Sequence, residues 1–197
     1  MAQLLKLDDM LQAAPLLLEG RIGVVPTDTI YGLVGCANSA QAVTNIYEAK
    51  GRNKDKPLII LIRDEAQMGM FGVKLSSDLL QQLPTPWPAK TTIVVPLDDI
   101  SEEQLYLHRN WTSLAFRLVT GQLAKLIELT GPLVAPSANP QGQEPAKSIA
   151  EAQAYFAKLQ TPLKEHLVSF YVDGGEMLIS PSTILKLDSA GLTVIRH

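Results

Sequence analysis

The run KGRNKDKPL places Lys50, Arg52, Lys54 and Lys56 within seven residues, opposed only by Asp55. A planar guanidinium fork beside compact ammonium charges suits an anion, and a phosphate above all. The same run also reads as the solvated end of a helix, because cations there complement the negative end of the helix dipole and charge runs usually face water. Both readings stand on the residues alone.

Three hydroxyl-rich stretches accompany it. PTDTIYGLVG offers two threonines, a phenol and a carboxylate directly after a strand, where α/β proteins commonly place ligands. Thr27 and Asp28 would equally serve to cap a turn there, with Tyr31 facing the core. PSANPQG sets Ser137 and Asn139 after an apolar strand, and PSTIL sets Ser182 and Thr183 at the start of another. Each alone is an ordinary turn or strand edge, since Ser and Asn satisfy nearby backbone groups.

Several chemistries are missing. The chain has no GxxxxGK[ST] loop, no GxGxxG after its first predicted strand and no GxSxG elbow, which removes ordinary P-loop, dinucleotide-binding and hydrolase readings. Its one cysteine, Cys36, reads as a small buried apolar residue, and His108, His166 and His197 form no metal-ligand spacing, so no metal site is expected. Trp87 and Trp111 read as core or loop anchors rather than as a base-stacking platform.

The elements that must position these residues alternate. Met10, Leu11, Ala14, Leu17 and Leu18 recur at helical spacing between Asp8 and Asp9, taken as N-caps, and a stop at Gly20. IGVVP predicts a strand, and TDTIYGLVG, with Gly32 and Gly35, predicts a loop that something approaches closely. Residues 39–50 predict a helix capped by Ser39 with Val43, Ile46 and Tyr47 on one face, and PLIILI a buried strand. A helix over 76–83, a loop at PTPWPAK, strands at TTIVVPL and SLAFRLV, and a helix over 121–130 follow. The rest reads as a strand at PLVAP, a loop at SANPQGQEP, a helix over 147–158, and strands at 167–172, 182–187 and 191–196 with a hairpin at SAG.

This order predicts an α/β fold with a twisted mixed sheet and flanking helices, in one domain spanning 1–197. The 197 residues, 46% hydrophobic and 19% charged, have ordinary globular composition and exclude collagen-like, coiled-coil and wholly disordered chains. A net charge of −3 offers no global attraction for nucleic acid, so any RNA contact must be local. No apolar run approaches the roughly 18 residues that span a bilayer, and the chain reads as cytoplasmic with no membrane partner.

Taken in order, PTDTIYGL, EAKGRNKDKPL, a WP loop leading to TTIVV, AFRL, PSANPQG, PSTIL and a terminal VIR resemble the YrdC/TsaC threonylcarbamoyl-adenylate synthase family, from about residue 20 to residue 196. The resemblance implies a concave basic cleft. It also implies an enzyme that joins L-threonine, bicarbonate and ATP into threonylcarbamoyl-AMP with release of pyrophosphate, magnesium arriving with ATP. A partner complex then transfers the group to tRNA beside the anticodon, and direct tRNA or RNA binding is a further implied role.

Carried over residue by residue, the family's KxR pair falls on Lys50 and Arg52 and its SxN pair on Ser137 and Asn139, implying catalytic roles. Arg52, Lys56, Ser113, Asn139 and Arg196 match ATP contacts, and Thr29, Arg117, Ser137 and Ser182 match threonine contacts. The chain departs from the pattern at Ala89 and Lys90 in the WP loop, at Leu61 and at Lys186, and a C-terminal extension domain is not expected. Two other readings remain: an RNA-binding or ribosome-maturation factor using the same cleft, and a paralogue that forms a different carbamoyl or acyl adenylate.

Overall fold

A computed structural model of the chain describes residues 2–74, 76–84, 87, 89–109, 111–157, 167–178, 180–188 and 191–196. Among these, ten strands form one sheet: β1 (Gln3–Lys6), β2 (Ile22–Pro26), β3 (Tyr31–Cys36), β4 (Ile59–Ile62), β5 (Thr91–Pro96), β6 (Ser113–Leu118), β7 (Leu133–Val134), β8 (Val168–Asp173), β9 (Thr183–Asp188) and β10 (Gly191–Arg196). Their order is β1-β8-β2-β3-β7-β4-β6-β5-β9-β10. The sheet is mixed: β2 runs parallel to β8 but antiparallel to β3, and β4 runs parallel to β6 but antiparallel to β7.

Both faces of the central strands are covered, and this is why β2 and β3 read as unbroken apolar runs, every residue of each being buried. Successive side chains of a strand point to opposite faces. Val24, Leu33 and Ile60 thus enter one core with Val43, Ile46 and Tyr47 of α2 (Ala40–Lys50) and Phe156 of α6 (Ile149–Ala157). Their neighbours Val25, Val34 and Leu61 enter a second core on the other face. There they meet Leu17 of α1 (Ala14–Leu18) and Leu126 and Ile127 of α5 (Gly121–Thr130). Each such side chain contributes about 1.5–3 kcal/mol by leaving water.

Two expectations are corrected. The stretch read as a glycine loop is largely strand β3, and its glycines mark close packing instead of a turn. A Cβ at Gly35 would lie 3.0 Å from Ala42 Cβ and 3.1 Å from Ile22 Cγ2, so α2 rides directly on the bare backbone. The first helix is split into a 3-10 segment, Leu7–Ala13, and the short α1, with Pro15 at the start of α1. Asp8 and Asp9 stand in the first turn of the 3-10 segment, and neither is its cap residue, which is Lys6. Ahead of it lies β1, whose largely exposed QLLK sequence gives no periodic signal.

The other predicted elements are found, with shorter limits for PLVAP, which contributes only Leu133–Val134. Ser39 caps α2, its Oγ accepting from Ala42 N at 3.2 Å, and Ser76 caps α3 (Ser77–Gln82). The three late strands separate: β8 joins β1 and β2 at one end of the sheet, while β9 and β10 pair at the other. Pro86 and Pro88 of the proline-rich loop, His166, His197, residue 158 of the sixth helix, and Ser189 and Ala190 of the SAG turn lie outside the described residues.

Candidate active site

Between β3, the loop after β7 and the start of β9 lies a cavity of about 300 Å³, at the lower end of the range for ligand pockets, about 300–1,000 Å³. Three guanidiniums line it, those of Arg52, Arg117 and Arg196, together with Thr29, Ser137, Asn139 and Ser182. Among the described residues lining it there is no Asp or Glu. The structure thus brings together seven of the residues singled out in the sequence, from six separate stretches of chain.

Arg117 projects from β6, where it stands beside Leu61 of β4. Only 4% exposed, it donates from Nη1 to Thr29 Oγ1 at 3.1 Å, and its Nη2 lies 3.1 Å from Asp28 Oδ1. Its Nε is buried without a hydrogen-bond partner. Burial lowers its pKa, Asp28 opposes that shift and the charge of Arg196 adds to it, so the two arginines share one electrostatic field. Asp28 read as a turn cap in the sequence, and its role as the counter-ion of Arg117 was missed. Thr27 is the residue that closes this turn, accepting from Thr29 N at 3.1 Å and donating to Ile30 O at 2.6 Å.

Ser137 and Asn139 are held by Lys50 from beneath. The helix α2 ends at Lys50 because Gly51 adopts φ +56°, and Gly51 N and Arg52 N satisfy the last carbonyls. Lys50 is 3% exposed, and its Nζ donates to Asn139 O at 2.6 Å, to Asn139 Oδ1 at 3.1 Å and to Ser137 O. Burial, and then the Arg52 charge, bring its pKa down to about 7, while three oxygen acceptors call for all three ammonium protons. Asn139 also accepts from Ser137 Oγ at 2.5 Å and donates from Nδ2 to Gln143 O. Ala138 N and Leu33 N tie the loop to β3.

The cation run is therefore not a uniform clamp. Arg52 reaches the cavity, Lys50 lies buried behind it, and Lys54 and Lys56 are exposed and do not line it. Ser113, at the start of β6 opposite Pro96, is not a lining residue either. At the far wall, Ser182 is buried with its Oγ 2.8 Å from Thr92 Oγ1, and its carbonyl accepts from Arg196 Nη2 at 3.0 Å. Gln143 and Pro181 also line the cavity, and nothing in their sequence context distinguished them. No cluster of three or more His, Cys, Asp or Glu able to hold a metal occurs among the described residues, nor any helix long and apolar enough to cross a membrane.

The remaining marked residues lie outside the cavity lining. Tyr31 is fully buried, donating to Gly175 O at 2.7 Å and accepting from Gly174 N at 2.9 Å. Cys36 is buried with its thiol pushed up to about 11. Trp87 packs in the core and Trp111 anchors a loop. Lys90, in the departing WP loop, takes φ +59°, and its carbonyl accepts from Thr183 N beside Ser182.

The model of the Sua5/YciO/YrdC family, described as telomere recombination, matches residues 15–197. The chain is 32% identical over 179 residues to the threonylcarbamoyl-AMP synthase of Pyrococcus abyssi (strain GE5 / Orsay), covering 89% of this chain and 49% of that protein. It is 36% identical over 148 residues to the threonylcarbamoyl-AMP synthase of Bacillus subtilis (strain 168), covering 73% and 42%. The chain thus spans about half the length of these relatives. Among solved structures, P. abyssi Sua5 complexed with L-threonine superposes with a TM-score of 0.80 at 28% identity, over 100% of this chain and 57% of that one. On the match across residues 15–197, the chain belongs to the Sua5/YciO/YrdC family.

Proposed function

We propose that this chain forms threonylcarbamoyl-AMP from L-threonine, bicarbonate and ATP, for later transfer to tRNA. The observation that carries the reading is the convergence of Arg52, Arg117 and Arg196 on one cavity whose described lining holds no carboxylate. Such a site suits reactants that each carry an anionic group: a carboxylate, bicarbonate and a triphosphate. The amine of threonine adds to the carbon supplied by bicarbonate, with loss of water. A carbamate oxygen then attacks the α-phosphorus of ATP, and the bond to the β-phosphate breaks to release pyrophosphate.

The residues divide this work by chemistry. Arg52 and Arg196 offset charge on the phosphates as the P–O bond breaks, and a preorganised donor of this kind is worth about 3 kcal/mol. Arg117, aligned by Thr29 and Asp28, supplies the positive charge for a carboxylate. The hydroxyls of Thr29 and Ser182 orient threonine, and Ser137 and Asn139 present polar groups on a loop that Lys50 fixes. Magnesium would enter on the ATP phosphates, as it commonly does with few protein ligands. Bringing three reactants into one cavity supplies the rest, since well-aligned reactants gain about 7–11 kcal/mol over free encounter.

The test is pyrophosphate release by the purified protein, with the product identified by mass. Release that needs ATP, L-threonine and bicarbonate together is the expected result. Release with another amino acid, or none at all while ATP binds, overturns the assignment.

A further inference from the structure

Arg52 sits at the head of a short turn in which three consecutive carbonyls, those of Asp55, Lys56 and Pro57, are engaged by side chains. Within it, Lys56 N donates to Asn53 O at 3.1 Å and Asp55 N to Asn53 Oδ1 at 2.9 Å. Three consecutive carbonyls then receive donors: Asp55 O from Trp111 Nε1 at 2.7 Å, Lys56 O from Tyr47 Oη at 2.8 Å, and Pro57 O from Arg52 Nη2 at 3.0 Å. Tyr47 comes from the last turns of α2. Trp111 comes from a segment distant in sequence, just after α4 (Leu105–His108).

That segment grips the turn twice. Arg109, in the left-handed region at φ +47°, lays its guanidinium 4.1 Å from the centroid of the Tyr47 ring, and two residues later the Trp111 indole reaches Asp55. Arg109 thereby covers the ring whose hydroxyl holds Lys56 O, and Trp111 holds the adjacent carbonyl. Trp111 is 46% exposed and does not line the cavity, so its indole N–H is the part of it that acts on the site.

We propose that Trp111 is a positioning residue for Arg52, fixing through Asp55 O the turn from which the guanidinium meets an anionic, phosphate-bearing ligand. The inference rests on the reading of the cavity as an anion site. Without the indole donor the turn opens at Asp55, and Arg52 samples orientations in which its fork no longer faces the cavity. A neutral hydrogen bond of this kind changes an equilibrium by about three- to tenfold.

The experiment uses the full chain and inorganic pyrophosphate as the probe. Trp111→Phe keeps a ring and removes the donor, and Arg52→Ala and the double variant complete a cycle, with amide hydrogen exchange followed over residues 53–57. The expected result is faster exchange in those residues and about three- to tenfold weaker pyrophosphate binding in Trp111→Phe, with no further loss when the change is made in Arg52→Ala. A merely structural loss would be additive with Arg52→Ala, and additivity overturns the inference. So does unaltered binding by Trp111→Phe when Arg52→Ala binds weakly, and in that case the anion-site reading survives. If Arg52→Ala binds pyrophosphate as well as the unaltered chain, the reading and the inference fall together.

Discussion

Lys50 Nζ lies 2.6 Å from the carbonyl oxygen of Asn139, 89 residues away in sequence, with no more than 3% of Lys50 exposed. A buried ammonium thus holds the end of α2 against the loop that carries Ser137 and Asn139. Replacing it by methionine keeps the stem and removes three donors. Unsatisfied carbonyls cost about 1–3 kcal/mol, part of it offset because no ammonium is then desolvated. Lys50→Met should therefore melt only modestly lower while turnover drops about a hundredfold, since a shift of about 1 Å in a positioning loop has that effect. Turnover equal to wild type, measured beside the melt, would show that the loop holds its place unaided.

The same amine gives two pH dependences of opposite sign. In the fold its pKa is brought down to about 7 from 10.5. The unfolded chain therefore binds this proton more tightly, so stability contributed by the site rises as pH climbs from 7 towards 10.5. An anion in the cavity favours the charged amine, so affinity for pyrophosphate should fall as pH rises past about 7, with proton uptake on binding between about 7 and 10.5. Melting of wild type and Lys50→Met at about pH 6 and about pH 9 measures the first dependence. Calorimetry in two buffers of different ionisation enthalpy measures the second. Binding without proton uptake would place Lys50 outside the ligand's field.

Arg117 is the second point at which charge alone does not define the residue. Its two terminal nitrogens face Thr29 Oγ1 and Asp28 Oδ1, each at 3.1 Å, a fork that a lysine cannot reproduce. Arg117→Lys should raise the KM for threonine about ten- to a hundredfold, the range for hydrogen bonds to charged groups. Asp28→Asn, which keeps the shape and removes the counter-ion, should cost less. Equal KM values for Arg117→Lys and wild type would remove the carboxylate from this position.

How much of this was legible in the sequence depended on whether the signal was local. The β-branched and apolar runs of β2, β4 and β5 marked themselves as strands, and Ser39 announced its helix. The β3 run misled because Gly32 and Gly35 resemble turn residues until the packing of Ala42 on bare backbone is seen. Lys50 was read with its charged neighbours, although Val43, Tyr47 and Lys50 follow i, i+4, i+7 spacing, which places the amine on the buried face of α2. Asp28 was read as a turn residue because its partner, Arg117, lies on a strand far along the chain. The Trp111–Asp55 bond spans 56 residues and has no trace in either stretch.

Gly23 offers a test of the fold that supports the site. In the parallel pairing of β2 with β8 it stands opposite Phe170, and an added Cβ would lie 2.3–2.4 Å from the ring atoms Cζ, Cε1 and Cε2. Phe170 is fully buried, so the ring can yield only by displacing its own neighbours. Gly23→Ala should cost about 1–3 kcal/mol by overpacking. Cys36 reports on this from within the same core, because its buried thiol, pushed up to about 11, reacts only when the core opens. Labelling of Cys36 by a thiol reagent under native conditions should then quicken by about tenfold or more in Gly23→Ala, in step with a lower Tm. An unchanged labelling rate and Tm would mean that the ring over Gly23 moves aside freely, and that the β2–β8 junction is looser than its burial implies.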